Sequence, residues 1–129
     1  MTCETPKKHD TGFLMLKTSN GLKKIEKAHI LFAKCEGFFC TLKTHDGHNY
    51  HYSIPVYALV AELETHGFHR IGRGHVVNIH QIVDLIRHDV RKWSVEMADG
   101  TMFPIAYRRL AAFKRVYMET RSRGNPTRS

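Results

Sequence analysis

The chain of 129 residues, 42% of them hydrophobic, is long enough to form one domain with a buried core. It has no apolar run of the roughly 18–20 residues that cross a bilayer and no apolar segment typical of a signal peptide, so we expect a cytoplasmic protein without membrane insertion. The net charge of +8 is uneven, because residues 66–129 contain all ten arginines and twelve Lys/Arg against five Asp/Glu. Such a basic half favours an anionic polymer as partner, although an ordinary solvated surface can have the same composition.

Short β-type segments separated by turns follow a polar start. We expect residues 1–11 to be a flexible segment and residues 12–120 to form the folded domain. Asn20-Gly21 and Asp46-Gly47 supply the positive φ angles that hairpin turns need. The apolar and β-branched pattern predicts strands in this half at residues 13–17, 22–27, 29–34, 38–44 and 49–52.

One helix is predicted in mid-chain. Ser53 can cap its start, Pro55 fits its first turn, and Gly67 ends it. Its apolar residues have helical spacing and predict a buried stripe: Val56, Leu59, Val60 and Leu63. The β pattern then resumes, and a second helix follows, with expected elements at 68–71, 75–78, 82–87, 91–97, 102–106 (strands) and 107–120 (helix). Residues 121–129 are expected to be a disordered basic tail. The prediction is a mainly β fold of small sheets with one short mid-chain helix and a C-terminal helix.

The residues of common catalytic and metal sites do not form a recognisable pattern. Cys3, Cys35 and Cys40 are odd in number and lack a paired spacing, so we expect free thiols, with a redox switch as the less favoured alternative. Ten histidines suggest zinc or copper, but their predicted positions on strands and turns do not make them converge. We therefore expect no enzyme, no metal and no cofactor, and a histidine-based metal protein is the least favoured of three functions.

The most informative stretch is FHRIGRGHVVN, residues 68–78. Arg73 lies between Gly72 and Gly74 and is sterically free to project, while apolar residues on both sides can anchor the connection. Glycines also allow the backbone to approach a phosphate closely. The alternative is an ordinary exposed loop that happens to contain an arginine.

Three motifs in this order resemble the LytTR domain, the DNA-binding module of many bacterial response regulators. The family signature Phe-x-Arg-Ile/Val-His-Arg/Lys-Ser-Tyr-Leu/Ile-Val-Asn is matched by Phe68, Arg70, Ile71, Arg73, Val77 and Asn78. Residues 30–39 are similar to the family's early strand and turn, and residues 99–110 to its closing hairpin and helix. The resemblance extends over about residues 13–118.

This resemblance implies an elongated β-sandwich that contacts double-stranded DNA through loops. Side chains would enter successive major grooves at paired repeats, often with bending of the DNA. Arg73 is the expected base reader, and Lys34, Arg70, Arg108 and Arg109 are expected at phosphates. Asn78 could instead fix a turn through its side chain. The full set of candidate DNA-binding residues is Lys34, Phe38, Phe39, Arg70, Arg73, His75, Asn78, Tyr107, Arg108 and Arg109.

Several positions depart from the family pattern. Gly72 replaces the usual His, Gly74 the usual Ser and His75 the usual aromatic residue, while Ala106 and Tyr107 stand where Ser-Arg is expected. These departures do not allow the target DNA sequence to be predicted. They also favour an alternative function, a protein-interaction module or antagonist that retained the fold without binding DNA.

The chain has about twelve residues before the resemblance begins. We expect a stand-alone regulator, controlled by its abundance, by forming a homodimer on DNA or by a partner protein. A C-terminal piece of a longer regulator is the alternative.

Overall fold

The computed structural model describes residues 12–124, so the predicted segment 1–11 and residues 125–129 lie outside it. Within residues 12–124 the chain forms ten strands and two α-helices, together with short 3-10 turns. The strands are β1 (Phe13–Thr18), β2 (Gly21–Glu26), β3 (Ile30–Glu36), β4 (Phe39–Thr44), β5 (Asn49–Tyr52), β6 (Phe68–Gly72), β7 (His75–Asn78), β8 (Ile82–Arg87), β9 (Trp93–Met97) and β10 (Met102–Pro104), and the helices are α1 (Val56–Leu63) and α2 (Tyr107–Gly124).

The strands form three antiparallel sheets. The central sheet has the order β5-β4-β3-β7-β6, and the two smaller sheets are the β1-β2 hairpin and the β10-β9-β8 meander. The predicted fold class, small β-sheets with one mid-chain helix and a C-terminal helix, is confirmed.

Two hydrophobic cores lie on opposite faces of the central sheet. Successive strand residues point to opposite faces, and accordingly Val76 belongs to one core and its neighbour Val77 to the other. The β1-β2 hairpin and α1 cover the Val76 face, and the three-stranded sheet and α2 cover the Val77 face. Each fully buried side chain of this kind contributes about 1.5–3 kcal/mol. The central sheet is therefore covered on both faces.

Both helices differ from prediction at one end. Pro55 is the N-cap of α1 with a ψ of 163°, and no side chain caps the helix, so the predicted cap at Ser53 is wrong because the chain is still extended after it. Gly67, with a φ of 87°, ends the 3-10 turn that follows α1, as predicted. Helix α2 continues to Gly124, four residues past the predicted end.

Neither helix in the described part of the chain is long and apolar enough to span a membrane.

Cys35 and Cys40 form a disulfide across β3 and β4. The prediction of free thiols is wrong for this pair, and Cys3 lies outside the described residues. The two cysteines are register partners with Cα atoms 4.0 Å apart, and the Cys35 N–H donates to Gly74 O in the β6-β7 turn. Cys35 and Cys40 are thus a non-hydrogen-bonded pair of the antiparallel ladder. In such a pair the Cα atoms lie close together and the two side chains are on the same face of the sheet. Only the hairpin register brings them together.

The histidines of residues 12–124 are dispersed. His29 packs edge to face on His45 at 4.5 Å, and His48 Nδ1 lies 3.1 Å from an oxygen of Asp46. Across these residues, no group of three or more His, Cys, Asp or Glu side chains is placed to bind a metal ion.

Candidate nucleic-acid interface

The tip of the β3-β4 hairpin presents two phenylalanines to solvent. Gly37 and Phe38 form its two-residue turn, for which Gly37 supplies a φ of +57°. Phe38 is 71% exposed and Phe39 45% exposed. The Phe39 ring stacks on His51 with centroids 5.1 Å apart. Two adjacent large apolar side chains exposed at a hairpin end make this tip a candidate contact surface.

The β6-β7 hairpin presents Arg73 and uses Arg70 to shape the loop. Arg70 Nε donates to Gly72 O at 3.0 Å, and its Nη2 donates to Arg73 O at 2.6 Å. Burial lowers the pKa of Arg70, and the positive charges of Arg109 and Arg73 add to this effect. Arg73 itself is exposed. Arg70 therefore braces the loop backbone, whereas the side chain of Arg73 projects from it.

The start of α2 lies against the same loop. The N–H of Ala106 donates to Ile71 O at 2.7 Å, and the positive charge of Arg109 lowers the pKa of Arg70. Tyr107 is 56% exposed, and the guanidinium of Arg91 lies 5.0 Å from its ring centroid. Arg91 thus joins this segment from the turn after β8 as a cation stacked on an aromatic face.

Backbone hydrogen bonds join these three segments at one end of the central sheet. The Cys35 N–H donates to Gly74 O at 2.7 Å, and Lys34 is the register partner of His75. With the Ala106 to Ile71 bond, they connect the β3-β4 tip to the β6-β7 loop and then to the start of α2. We call the result the basic surface. It consists of Lys34, Phe38, Phe39, Arg70, Arg73, His75, Arg91, Tyr107, Arg108 and Arg109.

The arginines of the basic surface lack acidic partners within residues 12–124. The ion pairs seen there join His29 to Glu26, Lys43 to Asp99 and His48 to Asp46. Glu36 is the acidic side chain that shares a cleft with Lys34. Because Arg73, Arg108 and Arg109 are not neutralised by these carboxylates, the surface attracts anions.

His75 lies on this surface as a half-buried residue. Its ring centroid lies 4.8 Å from that of Phe103. Burial lowers the pKa of His75 from its ordinary 6.5, and Lys34 lowers it further. Both effects favour the neutral imidazole, which offers one N–H donor rather than a charge.

Acidification is expected to destabilise the fold through two histidines. Burial lowers the pKa of His69 as it does that of His75, so the unfolded chain binds more protons than the folded one once the pH falls below about 6.5. The free energy of unfolding should therefore decrease as the pH falls from 7.5 to 5. Urea unfolding at several pH values checks this, and His75→Gln should reduce the pH dependence. An unchanged slope in that variant would contradict the role of His75.

Asn78 does not belong to the basic surface. It is 1% exposed, its Nδ2 donates to Ile30 O at 2.9 Å, and its Oδ1 accepts from the His80 N–H at 3.0 Å. Since both ends of the amide are bonded inside the protein, the structure favours the alternative that Asn78 fixes a turn. Its placement among the DNA-contacting residues is corrected accordingly.

Gly74 and Gly72 differ in the space that a side chain would find. A Cβ on Gly74 would collide with the backbone carbonyl of Cys35, whereas one on Gly72 would lie 3.6 Å from His75 Nδ1, an ordinary contact. Gly74→Ala is expected to destabilise the protein by about 1–3 kcal/mol, because the β6-β7 turn must move away from β3. Gly72→Ala is the matched control and should be close to neutral. Chemical denaturation measures both, and equal stabilities would contradict the close approach of the strands.

Comparison with known proteins identifies the family. A model of the LytTr DNA-binding domain matches residues 20–118. The chain belongs to the LytTR family. A solved LytTr DNA-binding domain from Bacillus cereus, of a protein described as a methyl-accepting/DNA response regulator, matches with a TM-score of 0.73 and 14% identity, covering 82% of this chain and 96% of that chain. At this identity the likeness shows the fold alone. No curated protein sequence matches the chain.

Two features of this LytTR domain's basic surface escaped sequence reasoning. Arg91 stacks on Tyr107, and His51 stacks on Phe39 with its Nδ1 3.4 Å from Thr41 Oγ1. The basic run around Arg91 could have suggested the first, since Arg87, Arg91 and Lys92 flank one turn. No local signal points to His51, because it reaches Phe39 from the neighbouring strand β5.

Proposed function

We propose that this LytTR chain is a bacterial cytoplasmic transcription regulator that binds double-stranded DNA sequence-specifically. The observation that carries the proposal is the basic surface, where the β6-β7 loop and the start of α2 hold arginines without carboxylate partners inside residues 12–124 and the β3-β4 tip adds Lys34. Guanidinium groups suit both phosphates and guanine edges. An anion of extended length, rather than a small one, fits a surface assembled from two hairpin ends and a helix start.

The three segments of the basic surface would make different kinds of contact with DNA. Arg73 projects from a braced loop, so we assign it to bidentate contact with a guanine in the major groove. Lys34, Arg108 and Arg109 would contact phosphates, which position the protein without reading sequence. Phe38, Phe39 and Tyr107 would pack on sugars and bases beside them. Recognition would then depend on loops entering successive major grooves, not on a helix lying in one.

Paired repeats are the expected target. One domain presents one basic surface, so two copies side by side, or a homodimer formed on the DNA, would read two half-sites and could bend the DNA between them. Control by a partner protein fits the same scheme if the partner covers the basic surface.

The exposed aromatic residues favour one competing function. Phe38 and Phe39 at the hairpin tip, with Tyr107, would equally suit a protein partner. In that case the domain would be a protein-interaction module or antagonist that does not bind DNA.

Selection from genomic DNA separates the two functions. The purified protein is incubated with pooled genomic fragments at low salt, and the retained fragments are sequenced. Enrichment of a spaced repeat supports DNA recognition, and no enrichment at low salt supports the protein-interaction module. If about six phosphates are neutralised, the logarithm of the affinity should fall with log salt at a slope of roughly −5. A slope near zero would contradict the phosphate contacts.

A further inference from the structure

The Cys35–Cys40 pair connects the two hairpins of the basic surface. The two cysteines bracket the β3-β4 tip, which contains Phe38 and Phe39, and the Cys35 N–H is bonded to Gly74, next to Arg73. A chemical change at this pair therefore acts on the tip directly and on the Arg73 loop through one hydrogen bond.

The two sulfur positions differ in access. Cys40 is fully buried, whereas Cys35 is partly exposed and lines an open cleft with Lys34, Phe39 and His75. A small oxidant can reach Cys35 through this cleft, which Lys34 and Glu36 both line, and the thiolate is the form that reacts. Cys40 Sγ lies 3.3 Å from Ile54 O, so a reduced Cys40 thiol has a carbonyl acceptor available in the core. The site thus accommodates both the disulfide and the dithiol.

We propose that Cys35 and Cys40 form a peroxide-reactive dithiol–disulfide site that controls the order of the DNA-facing hairpin tip. The consequence for DNA rests on the proposed function, whereas the chemistry of the site does not. Disulfides in a reducing compartment are typically transient or redox-sensing, which fits a reversible pair in a cytoplasmic regulator.

The chemistry balances with a peroxide as oxidant. The Cys35 thiolate attacks one oxygen of hydrogen peroxide, the O–O bond breaks, and the leaving hydroxide takes a proton to become water, so Cys35 is a sulfenic acid. Cys40 sulfur then attacks Cys35 sulfur. The S–S bond forms, the S–O bond breaks, and the hydroxyl leaves with the Cys40 proton as a second water. Two thiols are oxidised by two electrons, and the peroxide is reduced to two waters. A dithiol reverses the step by thiol–disulfide exchange.

The disulfide form is expected to bind DNA more tightly. With the pair bonded, the turn between Cys35 and Cys40 is closed at its base, and Phe38 and Phe39 lose less freedom on binding. Because the disulfide orders these two side chains only in part, we expect an affinity gain of about three- to tenfold for the oxidised form. The reduced form presents a looser tip on the same scaffold.

The test uses the full-length chain with Cys3→Ser, so that only this pair reacts. Intact mass after hydrogen peroxide, and again after dithiothreitol, should show the loss and return of two hydrogen atoms. Amide hydrogen exchange without DNA should show greater protection of residues 36–39 and 72–76 in the oxidised form. Cys35→Ser and Cys40→Ser, each in this background, should form no intramolecular disulfide, and peroxide should leave their exchange at these segments unchanged.

Each contrary result has a distinct meaning. Intermolecular dimers in place of the internal disulfide, or equal exchange in the two redox forms, would overturn the redox site. Equal DNA affinity of the two forms would overturn its control of binding. If neither form binds any DNA, the proposed function fails, and amide exchange still decides whether the redox site orders the hairpin tip.

Discussion

Replacing Arg73 by alanine is expected to weaken binding to the preferred DNA site by about 5- to 150-fold, the loss of roughly 1–3 kcal/mol for a bidentate guanine contact. The reason is geometric. The Arg73 side chain is exposed, and its loop carbonyls are held by Arg70 at 3.0 and 2.6 Å. The fork therefore approaches the groove from a fixed base, and little entropy is lost on contact. Fluorescence anisotropy with the selected site and with single-base variants measures the effect.

Two variants distinguish base reading from simple charge. Arg73→Lys keeps the charge but loses the planar fork, so it should discriminate poorly between bases while its affinity for random DNA remains near that of the wild type. Lys17→Ala is the control. It removes an exposed charge from β1, whose hairpin packs on the Val76 face of the central sheet and is not part of the basic surface, so DNA affinity should be unchanged. If Arg73→Ala weakens all DNA sequences equally, Arg73 contacts a phosphate and the assignment of base reader is incorrect.

Replacing Asn78 by alanine is expected to lower the free energy of unfolding by about 2–3 kcal/mol, because it removes the side-chain partner of the buried Ile30 O and of the half-buried His80 N–H. The first bond joins β7 to the start of β3 across 48 residues of sequence, so its loss loosens two strands of the central sheet. Urea denaturation measures the change. DNA affinity of the folded variant should stay close to that of the wild type.

Asn49→Ala is the matched control for Asn78. Asn49 is an exposed asparagine at the start of β5, and its replacement should change stability by less than about 0.5 kcal/mol. The opposite pattern for Asn78→Ala, with unchanged stability and lost DNA binding, would return Asn78 to the DNA-contacting residues.

The pattern of local residues was enough to predict most of the fold. Alternation of apolar residues and the glycine turns predicted the strands within a few residues, and the stripe of Val56, Leu59, Val60 and Leu63 predicted α1. These signals succeed because they depend on near neighbours in sequence. Ends of elements were less certain, as α2 shows, because no glycine or proline interrupts the helix before Gly124.

By itself, the sequence determined the family, the order of the elements and the exposure of Arg73 between two glycines. Only the tertiary structure decided that Asn78 is buried, that Arg70 braces the loop, that Cys35 meets Cys40 and that Arg91 stacks on Tyr107. The physical reason is that Asn78 and Arg91 reach segments distant in sequence, whereas the contacts of Arg70 and Cys35 form only once the chain has folded back across a hairpin turn. The chemistry of a side chain limits the bonds that it can make, and the pairing and turning of the strands determine which partner lies within its reach.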